Sequence, residues 1–199
     1  MARVSDVAIE DVPEDLRPIY RAFAESYGPF LNQVKVFAHR PPALRHVMAM
    51  LMEMADEAVL PKRYLEIAVV AVSKLNECAY CVAHHTPRLI EQGLAPETAA
   101  RILEPNCPGL DETDRLVRDY AVQVTTRPQM IRDQVFARLR ARFTEEQIVE
   151  LTLRTALCGF FNRMNEALQI GMEDGVLDDM LSKGGKPEDL PALALAGDD

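Results

Sequence analysis

The residues with the most chemical content stand together between Glu66 and His85, in the stretch EIAVVAVSKLNECAYCVAHH. Cys78 and Cys81 form a C-x-x-C, and His85 follows Cys81 at the spacing of one helical turn. If a helix begins near Cys78, positions 78, 81 and 85 share one face, because residues three and four apart are neighbours on a helix. Two cysteines so placed in a first turn can be bridged without breaking the backbone. The unpaired amides of a helix N-terminus stabilise a thiolate. Cys81 is therefore expected to titrate nearer neutrality, and to be alkylated faster at pH 7 than an ordinary thiol. His85 can orient or deprotonate Cys81, and Glu66, on the preceding helix, can reach across a hairpin to complete a proton relay. That is the chemistry of one thiol that attacks and a second that resolves.

Each residue also has a plainer reading. Reduced cysteines bury readily as small core residues. His84 and His85 can form a solvated surface pair, and Glu66 is by itself an ordinary helix glutamate. A C-x-x-C with a nearby histidine also supplies three zinc ligands. The usual second pair is missing, since Cys107 and Cys158 stand alone and His39 and His46 lack ligand spacing. Haem attachment needs a histidine directly after the second cysteine, where Val82 stands. A thioredoxin-type site needs a preceding strand and a βαβ context, and neither is apparent. From the residues alone, thiol redox chemistry, zinc held by Cys78, Cys81 and His85, and inert packing all stay open.

The elements that must position these residues read as helices, and the fold class expected is all-α. Leu16, Ile19, Tyr20 and Phe23 mark a helix from Glu14 to about Ser26, and Gly28-Pro29 separates it from a segment over Phe30–His39. Pro41-Pro42 opens a helix to about Ala58. Its Met48, Met50, Met52 and Met54 suit an element buried on several sides or at a subunit contact. Pro61 opens the helix carrying Leu65, Ala68, Val69 and Val72, and the next runs from about Cys78 to Glu91, ended by Gly93. Val69–Val72 alone would suit a strand, but its flanks favour helix. A short helix at Ala95-Pro96-Glu97, then helices near 112–125 and 129–142, follow. Thr144-Glu145-Glu146-Gln147 is a capping-box pattern that starts a long helix to about Ile170. A last segment spans Gly175 to about Ser182.

One all-α domain over residues 1–199 is expected, with its core at about 12–182. The N-terminal arm and the tail at 183–199 are expected to be mobile or packed on a neighbour. Laying Glu66 on Glu150 puts Cys78, Cys81 and His85 on Asn162, Asn165 and Gln169, an echo that would fit two similar helical hairpins, one without chemistry. Asn162, Arg163 and Asn165 are candidates for a pocket lining or subunit contact, with bracing of a buried helix turn as the plainer role.

Composition limits the partners. The chain has 199 residues, 48% of them hydrophobic, with 22 Lys and Arg against 31 Asp and Glu and a net charge of −9. That length buries a core without staples, and the negative charge, with no basic cluster to offset it, disfavours nucleic acid and anionic membrane surfaces. No apolar run exceeds that of Ile67–Val72, far short of a bilayer crossing. The acidic N-terminal stretch does not resemble a signal peptide, and four unevenly placed cysteines do not resemble a secreted disulfide scaffold. A cytoplasmic location is expected.

Glu66, Cys78, Cys81 and His85 match E-x11-C-x-x-C-x3-H, and the chain thereby resembles the alkylhydroperoxidase AhpD-like group of the carboxymuconolactone decarboxylase family. NECAYCVAHHTPRLIEQGL is similar to its peroxidase-related branch, and the resemblance continues through GLDETDRLVRDYA and FTEEQIVELTLRTALCGFFNRMNEAL, covering roughly residues 12–180. It implies an all-α bundle assembled as a dimer, trimer or hexamer. It also implies a thiol peroxidase with no cofactor or metal, in which Cys81 is oxidised by a hydroperoxide to a sulfenic acid and Cys78 condenses with it to a disulfide. Glu66 and His85 would form the proton relay, and a dithiol reductant such as a lipoylated protein would regenerate the pair. The best-known members carry a histidine directly before the second cysteine. Here Tyr80 stands there, and His84 is the additional candidate in support. Lactone decarboxylation is not implied, since C-x-x-C has no place in it. The competing reading is a non-catalytic helical module that binds zinc or senses redox state through Cys78, Cys81 and His85. Cys158 is assigned to packing and Cys107 to a spare thiol in a Pro/Gly loop.

Overall fold

The computed structural model describes residues 2–191, and among them there are helices and turns but no strand. In chain order the α-helices are α1 (Arg17–Ala22), α2 (Leu31–Phe37), α3 (Ala49–Glu57), α4 (Lys62–Leu75) and α5 (Ala79–Glu91). They continue with α6 (Pro96–Ala100), α7 (Glu112–Thr126), α8 (Asp133–Arg140), α9 (Glu145–Leu168) and α10 (Val176–Ser182). The chain divides into two compact units. One holds the residues up to Val59 together with Met164–Asp174, and the other holds Leu60–Arg163 and the residues from Gly175 onward.

In the first unit α1 runs directly into a π-helical turn over Phe23–Tyr27, and a second such turn, Ala43–Met48, leads into α3. Phe23 stacks on Tyr27 at 5.0 Å and meets Phe30 at 5.7 Å, so the aromatic residues around the Gly28-Pro29 break pack on one another. Met48 is fully buried, while Met50, Met52 and Met54 are half-buried. The N-terminal arm is tied down: the Arg3 amide donates to the Leu168 carbonyl at 2.8 Å, and the Tyr20 hydroxyl donates to the Val7 carbonyl at 3.1 Å. Gln33 donates to Asn165 at 2.9 Å, both side chains buried.

The second unit is organised on α4. Ile67, Ala68, Val69, Val70, Ala71 and Val72 are all buried, so apolar contact surrounds this helix and overrides the strand preference of its β-branched residues. Leu89, Ile102, Leu116, Val117, Tyr120, Leu139 and Leu151 complete the cluster around it. At the start of α7 the Asp111 carboxylate accepts from the Asp114 amide, and the Asp114 carboxylate accepts in return. At α9 the expected Thr144–Gln147 capping box is formed, at 3.1 and 3.2 Å. These caps satisfy amides that the first turns leave unpaired.

Two expectations are altered. The region laid over the Cys-Cys-His hairpin is one uninterrupted helix, α9, so there is no second hairpin. α4 stops because Glu77 takes a left-handed φ of 55°, whereas Phe160 and Phe161 continue helical. Residues 183–191 hold to their own unit: Lys183 pairs with Glu91 at 2.6 Å, and Leu190 is buried. The rest of the expected tail, 192–199, lies outside the described residues. No helix among the described residues is long and apolar enough to cross a membrane.

Candidate functional site

The C-x-x-C lies at the junction of α4 and α5, and the local hydrogen bonds explain why. The Glu77 amide donates to the Lys74 carbonyl at 3.2 Å, and the Cys78 amide donates to the Ser73 carbonyl at 2.9 Å. With Glu77 left-handed, this is the six-to-one and five-to-two pairing that closes a helix. The same turn delivers Cys78, in extended conformation, as the N-cap of α5. Its carbonyl accepts from the Val82 amide at 3.0 Å and so begins the next helix. Cys81 is therefore the third residue of α5, and His85 lies one turn further along it.

The hairpin places Glu66 of α4 against His85 of α5, with the carboxylate Oε2 2.8 Å from the ring Nδ1. Glu66 is buried, and the His85 side chain is 17% exposed. Such a carboxylate fixes the imidazole tautomer and leaves the other ring nitrogen for proton exchange. Cys78 and Cys81 are both buried thiols, hydrogen-bonded to each other. Tyr80 and His84, also buried, face each other with ring centroids 4.4 Å apart.

The expected low pKa at Cys81 is reversed. Its thiol is raised well above the ordinary value, first by the hydrogen bond with Cys78 and then by burial, while a hydrogen bond from Asn162 acts in the opposite direction. The N-terminal position in α5 is as expected. However, desolvation disfavours the charged form of a thiol buried in the core. The resting site therefore holds a thiol that must be deprotonated.

Asn162, from α9, is among the candidates for a pocket lining, and its side chain lies against the thiols Cys81 and Cys158. It is buried, its Oδ1 accepts from Asn76 Nδ2 at 2.9 Å, and its Nδ2 lies 3.4 Å from Ser73 Oγ. The sequence also offers the echo that lays Cys78 on Asn162. Arg163 is exposed and donates to the Gly159 carbonyl at 2.6 Å, a contact that braces its own helix.

Cys158 fits its packing role. Its sulfur lies 3.4 Å from Ser73 Oγ and 3.6 Å from the Val69 carbonyl, and burial pushes its pKa to about 12. Cys107 is also buried and donates to the Thr98 carbonyl at 3.4 Å, so it closes its loop onto α6. Among the described residues, no three His, Cys, Asp or Glu side chains are gathered as a metal site.

Comparison with known proteins agrees with this geometry. Residues 41–108, which include the whole Glu66–His85 hairpin, match the model of the carboxymuconolactone decarboxylase family. The uncharacterized protein YdfG of Bacillus subtilis (strain 168) is 27% identical over 108 residues, 52% of this chain and 71% of YdfG. The crystal structure of an alkylhydroperoxidase AhpD core, a peroxidase-related protein of Ralstonia eutropha JMP134, superposes with a TM-score of 0.78. It is 25% identical, covering 93% of this chain and 98% of that one. The debrominase Bmp8, solved as a cysteine-to-alanine variant with 2,3,4-tribromopyrrole, shares the fold at a TM-score of 0.72. Its identity is 18%, over 90% of this chain and 96% of Bmp8. With the family model lying across the hairpin and an AhpD core superposing on nearly the whole molecule, residues 41–108 are similar to the carboxymuconolactone decarboxylase family and the chain has the AhpD-like fold.

Proposed function

We propose that this protein is a thiol peroxidase that reduces organic hydroperoxides through Cys81 and Cys78. The observation that carries the reading is the pair of mutually hydrogen-bonded thiols at the start of α5, with the Glu66–His85 pair one turn further along the same helix. Cys81 gives its proton to the relay, and its thiolate attacks the terminal oxygen of the hydroperoxide. A sulfur–oxygen bond forms as the oxygen–oxygen bond breaks, and the leaving alkoxide takes up the proton as an alcohol. The Cys78 thiol then condenses with the sulfenic acid, forming the disulfide and releasing water. A dithiol, such as a lipoylated protein, returns two electrons and two protons. The raised Cys81 pKa supports this use of the relay, since a thiol that stays protonated at rest needs a base on demand.

The test is a peptide-mapped mass of fully reduced, metal-free protein after one equivalent of cumene hydroperoxide, beside Cys81→Ser. Loss of two hydrogens confined to the peptide holding Cys78 and Cys81, absent in the variant, is expected, followed by repeated turnover with dithiothreitol. Indiscriminate or absent oxidation overturns the peroxidase reading, and a single oxidation without cycling marks a redox sensor. The fold likeness to Bmp8 supports a second substrate class for the same thiols. Reductive release of bromide from a bromopyrrole, with the Cys78–Cys81 disulfide as the oxidised product, would identify it.

A further inference from the structure

Two thiols, Cys81 and Cys158, meet a single buried amide in the second unit. Cys78 and Cys81 come from the start of α5 and Cys158 from α9, and Asn162 lies on the same face of α9 as Cys158, one turn on. The Asn162 amide is held in one orientation. Asn76 Nδ2 can only donate, so the group 2.9 Å from it must be the Asn162 oxygen. The Cys158 thiol, 3.7 Å away, points at the same oxygen. The Asn162 nitrogen is thereby turned toward Ser73 Oγ, 3.4 Å away, and the same side chain hydrogen-bonds Cys81. A carboxamide has two N–H groups, enough to serve a hydroxyl and a thiol together.

We propose that Asn162 is a thiolate-stabilising residue of the site, donating an N–H to the Cys81 sulfur, and that Asn76 is the positioning residue that keeps the amide turned that way. The proposal rests on the reading of Cys81 as the reacting thiol and adds to it a group outside the Glu–Cys–Cys–His set. The need is physical. Cys78, Cys158 and burial all oppose charge on Cys81, and the hydrogen bond with Asn162 acts in the opposite direction. A neutral donor stabilises the thiolate without creating a permanent ion pair in the core. Hydrogen bonding to the charged form favours that form, and leaving the amide unpaired in the interior would be costly.

The experiment is the pH dependence of Cys81 alkylation by iodoacetamide, read by peptide mass, in a Cys78→Ser, Cys158→Ser background. Asn162→Leu is the first variant, because it keeps about the same volume and removes the N–H donor without adding a charge. The midpoint is expected to move up by about one pH unit, so that alkylation below it slows about tenfold, with the plateau rate at high pH retained. Asn76→Ser, at a half-buried position, removes the pin and is expected to move the midpoint in the same direction by less. A midpoint unchanged in both variants overturns the proposal, and so does a loss of plateau rate without a shift, which marks a packing role. The outcome is separable from the peroxidase reading, which is decided by the hydroperoxide oxidation and turnover of the unmodified chain.

Discussion

Glu66→Gln isolates one charge in the relay. The replacement keeps the shape and one oxygen facing His85 Nδ1 at 2.8 Å, and it removes the carboxylate that an imidazolium would face when His85 accepts the Cys81 proton. Unit charges about 4 Å apart attract by about 4 kcal/mol at an effective dielectric of about 20. The His85 side chain is 17% exposed, so solvent screens part of this. About half, or about 2 kcal/mol, is a fair floor, and each 1.4 kcal/mol is about tenfold in rate. Formation of the Cys78–Cys81 disulfide at pH 7 is therefore expected to slow by between about 30-fold and about 700-fold. Single-turnover acid quench with excess cumene hydroperoxide, followed by mass measurement, reads this directly. Thermal unfolding of the same preparation confirms that the fold is retained. A folded Glu66→Gln protein that forms the disulfide within threefold of the unmodified rate would refute the relay.

Three further outcomes follow from the same geometry. Because Cys81 titrates above the ordinary thiol range, its alkylation is expected to rise about tenfold per pH unit from pH 7 to 8.5; a plateau reached below pH 7.5 in an iodoacetamide profile would contradict the burial argument. Cys81 and Cys158 both hold their protons more tightly folded than unfolded. Stability is therefore full below about pH 9 and falls as the pH rises toward the Cys158 value of about 12, by about 1.4 kcal/mol per pH unit for each thiol. Urea midpoints at pH 8 and 10.5 measure the fall, and Cys158→Ala should make it shallower; an unchanged slope in that variant argues against the assignment. Glu77→Val puts a β-branched side chain at a φ of 55° and is expected to destabilise the protein by about 1 kcal/mol, whereas Glu77→Gly is tolerated. Thermal midpoints of the two variants that coincide would remove the backbone explanation for where α4 ends.

Much of the site was readable because it is local. The turn between α4 and α5 could be placed to within a residue or so, since the apolar period breaks at Asn76-Glu77 and the C-x-x-C begins the next helix. The contact of Glu66 with His85 follows from the same hairpin. What sequence could not supply depends on residues far away along the chain. The direction of the Cys81 shift is set by how deeply the packed core buries the C-x-x-C, and by the Cys78 hydrogen bond, neither of which shows in spacing. Asn162 reaches the thiols only because α9 packs in the same unit, and a lone asparagine in a helix carries no sign of that. The supposed second hairpin failed for a local reason, since no residue near Phe160-Phe161 takes the left-handed turn that Glu77 takes. The π-helical turns at 23–27 and 43–48 left no mark in an apolar pattern that reads equally well as ordinary helix.

The hairpin from Glu66 to His85 also bears on how such a protein changes over generations. Its two thiols, the histidine and the carboxylate paired with that histidine are encoded in one short uninterrupted stretch, so they are inherited together and can be transplanted together. The amide from α9 is encoded far downstream and enters through one side chain. A single codon there can retune the sulfur while the inherited stretch stays intact. A scaffold divided in this way can vary the surroundings of the two thiols without disturbing the stretch that holds them.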